Sequence, residues 1–317
     1  MMTEHAHRIP YKVRMAAPAG VVYGLIVDAV KWPLYFSLSV HVERLELDGE
    51  RERLRIWSLV DGRLESWISW RRLDPVERCV EFRQEVPAAP LDSMGGALTA
   101  RAQGPHTTEL ELQYDFRVTG GLPEDVVWAD GAAARASLTQ LADLKALAER
   151  WTRLDELVVS FEDSVRVHGP AELVYDFLYR AGDWPELVPH VTRVDLSEDA
   201  PGIQRMTMNT LTEHGSRTTD SVRICFPHAG RIIHKQTAPS PLLEAHTGEW
   251  SVIPDETGVT VVAQHSVVLR EEDIATVLGE GAGLAEARAY VREAVGRPGL
   301  DLLAQAKRHA ESAVRML

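Results

Sequence analysis

The sequence has few of the residues that mark several common classes of protein. Only two of its 317 residues are cysteines, Cys79 and Cys225, too few for a disulfide framework or a cysteine metal site. No apolar run is long enough to span a membrane, and the first residues lack the apolar core of a signal peptide. We therefore expect a cytoplasmic protein that does not bind a membrane, with both thiols inert.

Basic residues are also scarce relative to acidic ones. The chain has 34 Lys and Arg against 47 Asp and Glu, a formal net charge of -13, which disfavours binding to nucleic acid. The sequence contains no HExxH zinc motif, no GxSxG nucleophile elbow, no Walker loop and no dinucleotide-binding fingerprint. We predict neither a metal site nor a cofactor.

The strongest positive signal is an internal duplication. When the sequence is compared with itself at an offset of 152 residues, Trp32-Pro33 falls on Trp184-Pro185 and the two halves stay in register for most of their length. Such a long period indicates duplicated whole domains, because solenoid repeats are much shorter. We place the two domains at residues 1–153 and 154–317.

Each half repeats the same order of patterns. A short strand is followed by an amphipathic helix that starts at Pro-Ala and is expected to end at Trp-Pro. In the first half, period-two runs at residues 54–60, 63–73, 78–86 and 108–118 then predict antiparallel strands. The inner face of the helix is predicted to carry Val22, Leu25 and Ile26 in the first half, and Val174, Phe177 and Leu178 in the second.

Each half closes with a long helix. In the first half it is predicted from 123 to 151, with an inner stripe of Leu138, Leu141, Leu144, Ala148 and Trp151. In the second half we expect two helical segments, 284–295 and 300–316, broken by Gly-Arg-Pro-Gly at 296–299. The fold class is therefore α+β: two tandem helix-grip domains, each a curved antiparallel sheet wrapped around a long C-terminal helix with an internal cavity.

The segment at residues 65–86 carries a Trp-x-Ser-x-Arg pattern, Trp67, Ser69 and Arg71, followed by Asp74-Pro75. It resembles the polyketide aromatase/cyclases of bacterial type II polyketide synthases, which have a START/Bet v 1-like fold. The segment at 184–194 is similar to the same family, and the two tandem copies resemble its di-domain branch.

The resemblance implies an activity and partners. The expected activity is regiospecific first-ring closure of a ketoreduced poly-β-ketone, by aldol addition and then dehydration to an aromatic ring. The chain would be carried on acyl carrier protein, in aromatic polyketide antibiotic biosynthesis, with other synthase components as transient partners. Because a carrier protein is acidic, we look for an arginine patch near a cavity mouth. Its candidates are Arg51, Arg53, Arg55, Arg71, Arg72 and Arg78.

The sequence departs from single-domain relatives at several positions. Residues 132–134 are alanines where those relatives carry asparagine, Ser39 stands in place of a tyrosine, and Thr219 replaces the tryptophan of the strand motif in the second half. The roles of single-domain residues therefore do not carry over in full.

The candidate catalytic residues are two Ser-x-Arg pairs in register, Ser69 with Arg71 and Ser221 with Arg223. Strand alternation puts each serine on the same sheet face as its arginine. A guanidinium stays charged in a cavity and offers planar donors to a ketone or an enolate. The competing interpretation is a strand arginine paired with a surface carboxylate, but the recurrence beside the same serine favours a site.

The candidate substrate-binding residues are aromatic or titratable. Tryptophans suit a flat, partly conjugated chain, and a histidine can move a proton near neutral pH. The set is Trp32, Tyr35, Trp67, Asp92, Met94, Trp184, His190, Asp220, Glu244 and His246. Trp70 is a further aromatic candidate, and His234 and His265 are further titratable ones.

Three alternatives remain open at this point. The protein is an enzyme, or a non-catalytic START-like carrier of a hydrophobic small molecule, or a chain in which one domain is catalytic and the other is structural or holds an intermediate. The lining of the cavity separates them, because an oily pocket favours a carrier. Two cavities in one chain take the place of a homodimer, so we expect a monomer.

Overall fold

The computed structural model describes residues 7–212 and 215–315 of the chain. It divides into two compact units, Met1–Leu154 and Asp155–Leu317. Met316, the predicted end of the last helix, lies outside the described residues. No helix in the described ranges combines the length and the apolar character that crossing a membrane requires.

The first unit is built on a seven-stranded sheet with antiparallel neighbours in the order β1-β7-β6-β5-β4-β3-β2, so that its first and last strands pair. Its strands are β1 (His7–Met15), β2 (Ser39–Asp48), β3 (Arg51–Val60), β4 (Arg63–Asp74), β5 (Cys79–Gln84), β6 (Leu91–Gly104) and β7 (Thr107–Val118). The four runs predicted as strands are confirmed as β3, β4, β5 and β7. Every second residue of β7 from Thr108 to Val118 is buried, which is the period that identified it.

Three helices complete this unit: α1 (Ala19–Val27), α2 (Trp32–Tyr35) and α3 (Pro123–Glu149). Val22 and Ile26 of α1 are buried as predicted. Leu141, Leu144 and Ala148 of α3 are also buried. The inclusion of Leu138 and Trp151 in the stripe was wrong, since they are 60% and 40% exposed. The stripe drifts around the helix, and α3 ends before Trp151.

The Trp-Pro pair does not end α1, contrary to the sequence prediction. The helix ends at Val27, a 3-10 turn spans Ala29–Lys31, and Trp32 then begins α2. Pro33 lies in the first turn of α2, where the backbone N–H that proline lacks has no intrahelical partner to lose. The pair therefore starts a helix.

The second unit repeats this topology with the sheet order β8-β14-β13-β12-β11-β10-β9. The strands are β8 (Val158–Val167), β9 (Val191–Ala200), β10 (Ile203–Thr212), β11 (Gly215–Phe226), β12 (Arg231–Ala238), β13 (Leu243–Asp255) and β14 (Gly258–Leu269). The helices are α4 (Leu154–Leu157), α5 (Ala171–Tyr179), α6 (Trp184–Leu187), α7 (Ile274–Leu278) and α8 (Leu284–Arg315). The predicted inner face of α5 is confirmed: Val174, Phe177 and Leu178 are buried.

Helix α8 is continuous through Pro298, so the predicted break at 296–299 was wrong. An internal proline removes one backbone hydrogen bond and costs about 3 kcal/mol in a helix interior. Val291 on one side of it and Leu303 on the other are both buried. Packing on both sides holds the helix together where local propensity alone would end it.

A buried arginine joins the sheet to the first helix in each unit. Arg71 on β4 donates from Nη2 to the carbonyl oxygen of Ile26 at 2.9 Å, and its guanidinium lies 5.0 Å from the centre of the Trp32 ring. Arg223 on β11 makes the equivalent bond to the carbonyl oxygen of Leu178. The last carbonyls of a helix lack intrahelical partners and carry negative partial charge, so a cation fits there.

The two arginines differ in the residue opposite them. Arg71 faces Glu52, fully buried, whose Oε1 lies 3.3 Å from Nη1. Arg223 faces Gln204, which is neutral. Burial lowers the pKa of Arg71 to about 10 against the opposing effect of Glu52, and burial also lowers the pKa of Arg223. Both stay charged at neutral pH.

Removing Arg71 should destabilise the first unit strongly. Arg71→Ala leaves the Glu52 carboxylate buried and ion-paired with Arg44, whose Nε lies 2.9 Å from Glu52 Oε2. We expect the free energy of unfolding in urea to fall by about 3–5 kcal/mol, and Glu52→Gln in the same chain to recover part of the loss. Arg72→Ala is the control, because Arg72 pairs with exposed Glu81 on the outer face, and should leave stability unchanged. Equal stability of wild type and Arg71→Ala would contradict this role.

Candidate functional site

The first unit encloses a cavity of about 370 Å³ between the sheet and α3. Its walls are largely aromatic and aliphatic. The lining includes Trp32, Phe36, Leu38, Ser39, Ile56, Ser58, Trp67, Tyr114, Ala132, Ala136, Thr139 and Gln140. Of the residues predicted to bind substrate in this half, Trp32 and Trp67 line the cavity. The indole N–H of Trp32 donates to the carbonyl oxygen of Leu25 at 3.3 Å, which fixes the ring against α1.

One side of the cavity is bounded by the β3–β4 turn and by α3. Asp61 and Gly62 of the turn and Arg135 and Asp143 of α3 all line it. Arg135 Nη2 lies 3.5 Å from Asp61 Oδ1, and both side chains are more than 60% exposed. An exposed ion pair of this kind is weak, so it does not fix the turn to the helix firmly.

Tyr114 is a polar group of this cavity that sequence analysis missed. It lies on β7 directly opposite Gly96, and it is buried. Burial is the main cause that raises its pKa, so its hydroxyl remains protonated and can donate a hydrogen bond. A Cβ on Gly96 would lie 2.9 Å from Phe82 Cζ, so the glycine allows the close packing beside Tyr114. In the sequence, the Gly95-Gly96 pair was the signal that could have identified this position.

The other predicted residues of the first half are not among the residues that line this internal cavity. Ser69 is buried and donates from Oγ to the carbonyl oxygen of Arg83 at 3.2 Å. Arg71 reaches the cavity only through Trp32, on which it stacks. Tyr35 and Met94 pack against the core, and Asp92 is exposed.

The second unit encloses a smaller cavity of about 150 Å³ between its sheet and α8. Four of the predicted residues, Trp184, His190, Ser221 and His246, line it. The further lining includes Met206, Met208, Arg217, Thr219, His234, Gln236, Trp250, His265, Pro298 and Gly299.

The other three predicted residues of the second half are not among the residues that line this cavity. Arg223 stacks on Trp184 and Trp250, which do line it, at 5.5 and 5.6 Å. Asp220 accepts a hydrogen bond from Thr207 Oγ1 at 2.5 Å, and Glu244 is exposed. Like Arg71, Arg223 contacts the cavity through an aromatic wall.

Three histidines, His234, His246 and His265, come together in this cavity and are called the histidine cluster below. Their ring centroids are 5.4 to 5.9 Å apart, and each side chain is at least 93% buried. His246 Nε2 and His265 Nδ1 are 3.2 Å apart, a hydrogen bond whose direction depends on the tautomers. Residues from three strands therefore form one imidazole cluster.

Two glycines make room for the histidine cluster. A Cβ on Gly248 would collide with the His234 ring, and one on Gly299 would lie 3.1 Å from His265 Nε2. Gly299 belongs to the Gly-Arg-Pro-Gly segment of α8 that was predicted to break the helix. The segment instead lets α8 pass close to a histidine.

The histidine cluster is neutral at physiological pH. Burial, reinforced by the neighbouring histidines, lowers the pKa of His234 well below its usual value and that of His246 to about 3. Burial lowers the pKa of His265 to about 4 although Asp163 opposes the shift. A neutral imidazole has one N–H donor and one acceptor nitrogen, so each ring can do either half of a proton transfer.

Several polar atoms around the cavity have no hydrogen-bond partner among the described residues. Six of them belong to lining side chains: Ser221 Oγ, His234 Nε2, Gln236 Oε1, His246 Nδ1, Trp250 Nε1 and His265 Nε2. Within residues 7–212 and 215–315, no three His, Cys, Asp or Glu side chains are arranged to hold a metal ion.

A larger concavity of about 630 Å³ is lined chiefly by residues that alternate with the inward-facing ones of the first sheet. Trp70 belongs to this outer face, so it is not a wall of the internal cavity. Of the six arginines in the predicted patch, Arg71 is buried, and Arg53 and Arg72 are ion-paired with carboxylates at 2.6 and 2.8 Å.

The histidine cluster should make stability fall as the solution is acidified. An unfolded histidine has a pKa of about 6.5, so below that pH the unfolded chain binds protons that the folded chain does not. Each histidine therefore removes about 1.4 kcal/mol of unfolding free energy per pH unit until its folded pKa is reached. His246→Gln should reduce this slope by about that amount between about pH 5.5 and 4.5 in urea titrations. The exposed His228→Gln should not, and an unchanged slope in His246→Gln would count against burial of a neutral ring.

Comparison with known proteins places both units in one family. The sequence profile described as polyketide cyclase / dehydrase and lipid transport matches residues 158–307. The chain is 38% identical over 309 residues to the granaticin polyketide synthase bifunctional cyclase/dehydratase of Streptomyces violaceoruber, covering 97% of this chain and 95% of that protein. It is 39% identical over 303 residues to the actinorhodin counterpart of Streptomyces coelicolor, with 92% of each chain covered.

Two solved structures share the fold over nearly the whole chain. The di-domain ARO/CYC BexL from the BE-7585A biosynthetic pathway is 40% identical, with a TM-score of 0.87 over 96% of this chain and 99% of that one. The di-domain ARO/CYC StfQ from the steffimycin pathway is 32% identical, with a TM-score of 0.84 over the same shares. The seven-stranded sheets, the duplicated cavities and these similarities agree: the chain belongs to the family of di-domain polyketide aromatase/cyclases.

Proposed function

We propose that this protein is a polyketide aromatase/cyclase that closes and dehydrates the first ring of a ketoreduced poly-β-ketone. Residues 1–153 and 154–317 form its two catalytic domains. The observation that carries this proposal is the aromatic cavity of the first unit, about 370 Å³ in volume, enclosed between sheet and helix. The relatives, named as cyclase/dehydratases of aromatic polyketide pathways, support the same activity.

The first task of this cavity is to hold a reactive chain in one fold. A poly-β-ketone has many acidic methylenes and electrophilic carbonyls, and it cyclises unselectively in water. Trp32 and Trp67 offer flat walls for a partly conjugated chain, and the enclosure keeps water from competing. Holding one nucleophilic carbon near one carbonyl accounts for the selectivity.

Tyr114 supplies a hydrogen-bond donor for ring closure. Its protonated hydroxyl donates to the ketone oxygen under attack, where negative charge develops as the carbon–carbon bond forms. The proton lost by the attacking methylene and the proton gained by the new alkoxide balance, so the product is a neutral β-hydroxyketone. A neutral donor is enough because the cavity excludes water.

Arg71 and Arg223 act as positioning residues in this proposal. Their donors are directed at helix carbonyls, and their faces stack on Trp32 in the first unit and on Trp184 and Trp250 in the second. They orient the aromatic walls that contact substrate. Ser69 links β4 to β5 through its hydrogen bond to the carbonyl oxygen of Arg83. Ser221, by contrast, lines its cavity directly.

We further propose acyl carrier protein as the partner that delivers the chain, with other synthase components in transient contact. Exposed Arg135 beside the first cavity is a contact suited to an acidic carrier. Monomeric state and cytoplasmic location belong to the same proposal. Two free thiols, Cys79 and Cys225, are in keeping with a reducing compartment.

The test is product analysis with a reconstituted minimal polyketide synthase and ketoreductase. Adding the protein should convert the mixture of spontaneously cyclised products to one product with an aromatic first ring. An unchanged mixture, together with tight binding of the same polyketides, would instead indicate a carrier.

Trp67→Ala should lower the yield of the aromatised product at least about tenfold, because loss of one aromatic wall removes roughly 1.4 kcal/mol or more of positioning. Trp67→Phe should keep most of the activity. Trp70→Ala is the matched control three residues along the same strand, on the outer face. If Trp70→Ala were as damaging as Trp67→Ala, the inner cavity would not be the reaction site.

Tyr114→Phe should lower the rate of ring closure about tenfold to a thousandfold, while the distribution of bound chains stays unchanged, because the ring that shapes the cavity is kept and the donor to the ketone oxygen is lost. Single-turnover formation of the cyclised product measures this rate. Tyr35→Phe, which changes a phenol that packs against the core, is the comparison and should react at the wild-type rate. Equal rates for both variants would exclude Tyr114 as the donor.

A further inference from the structure

We propose that the histidine cluster of the second unit, His234, His246 and His265, is the dehydration site, which removes water from a ring that has already been closed. The inference deepens the proposed function and rests on it. It divides the labour between the units: ring closure in the first cavity and elimination of water in the second.

The sizes of the two cavities favour this division. The second cavity, about 150 Å³, has less than half the volume of the first. Cavities of about 150 Å³ in other proteins bind a single benzene ring. The second cavity therefore suits one six-membered ring, whereas a folded poly-β-ketone chain needs the larger space.

The chemistry of the lining points to a polar substrate in that small space. More than nine tenths of buried polar groups in proteins are hydrogen-bonded, yet six polar atoms of side chains lining this cavity have no partner among the described residues. Four of these atoms belong to Ser221 and the histidine cluster, all at least 93% buried. A ring that carries a ketone and a hydroxyl offers acceptors and a donor to such a lining.

The equivalent positions of the first unit lack this chemistry. The strand registers match His234 with Phe82, His246 with Met94 and His265 with Tyr114. The first unit thus has no imidazole at any of the three positions. The second unit has a set of proton acceptors and donors that the first does not repeat.

The elimination is balanced with neutral imidazoles alone. One ring nitrogen accepts the proton on the carbon between the ketone and the hydroxyl-bearing carbon. The electron pair of that C–H bond forms the new C=C bond, and the C–O bond to the hydroxyl breaks. The ring that accepts this proton hands its other proton to the second imidazole across their hydrogen bond, and the second imidazole gives its outer N–H proton to the leaving hydroxyl. The products are an enone and water, and both rings end neutral.

The hydrogen bond between two of the histidines keeps both rings neutral through the step. Each ring of the pair gains one proton and gives one away, so the pair ends with exchanged tautomers and no net charge. His246 Nε2 and His265 Nδ1, 3.2 Å apart, allow a proton to pass directly between their rings. The low pKa values of these buried rings favour return to the neutral pair before the next turnover.

Ser221 and Gln236 are placed to orient the ring. Ser221 Oγ is free among the described residues to donate to the ketone oxygen, and Gln236 Oε1 to accept from the hydroxyl group. Trp184 and Trp250, held by the guanidinium of Arg223, flank the same space. Ser221 is the residue that best separates function from structure, because its hydroxyl makes no hydrogen bond to any residue that the structure describes.

The experiment uses the full chain with the minimal polyketide synthase and ketoreductase and measures the ratio of dehydrated to hydrated first-ring product by mass spectrometry. We expect His246→Gln and Ser221→Ala each to lower this ratio at least tenfold, so that a cyclised product heavier by one water accumulates. Total cyclised product should remain at the wild-type level. Exposed His228→Gln is the matched control and should leave both quantities unchanged.

Stability distinguishes a catalytic role from a structural one. Ser221→Ala removes a buried hydroxyl that has no hydrogen-bond partner within the described ranges, so its thermal midpoint should equal or exceed that of the wild type while dehydration falls. A wild-type product ratio in Ser221→Ala and His246→Gln overturns the inference and leaves the cyclase function intact. Failure of the wild-type protein to direct cyclisation overturns the proposed function instead.

Discussion

The burial of one arginine under the first helix is the interaction on which each cavity depends. A charged group in the interior is unfavourable unless it is fully engaged, and here helix carbonyls and the face of a tryptophan engage it. Arg71 has Glu52 as a counter-ion, whereas Arg223 faces Gln204 and contacts the rings of Trp184 and Trp250. The arrangement places an aromatic ring in a fixed position at the cavity edge. A sheet that curves around a helix then leaves space beside that ring.

Duplication preserved this framework while the cavity lining diverged. The sheet orders, the helix that begins at Trp-Pro and the buried arginine recur in both units. The histidine positions of the second cavity do not: His234 corresponds to Phe82 in the first unit. Strand alternation makes this separation possible, because substitutions on one face leave the backbone pairing intact. The result is a larger aromatic cavity in one unit and a smaller cavity rich in imidazole in the other.

Local patterns in the sequence predicted the fold well and the direction of polar groups poorly. Period-two runs and the matched halves identified the strands and the topology class because these depend on neighbours along the chain. The continuous helix through Pro298 depends on packing by residues distant in sequence, which local propensity does not contain. The in-register Ser-x-Arg pairs were recognised, but not that Arg71 bonds to Ile26, because that contact spans 45 residues. Tyr114 was missed since its importance comes from Gly96 opposite it, a pairing that only the register reveals.

A dehydration site must supply both an acid and a base without leaving net charge in an apolar space. A carboxylate and an ammonium group would each lose much hydration on burial, and they would neutralise each other before meeting substrate. Neutral imidazoles avoid this, because each carries a donor and an acceptor and is uncharged at the start and end of turnover. Their low pKa values, which follow from burial, weaken them as bases. That weakness is tolerable for a proton next to a ketone whose oxygen is hydrogen-bonded, and the same burial makes the imidazolium a strong acid for the leaving hydroxyl. Burial therefore weakens the neutral rings as bases and strengthens their protonated forms as acids. This suits a reaction whose harder step is the departure of hydroxide.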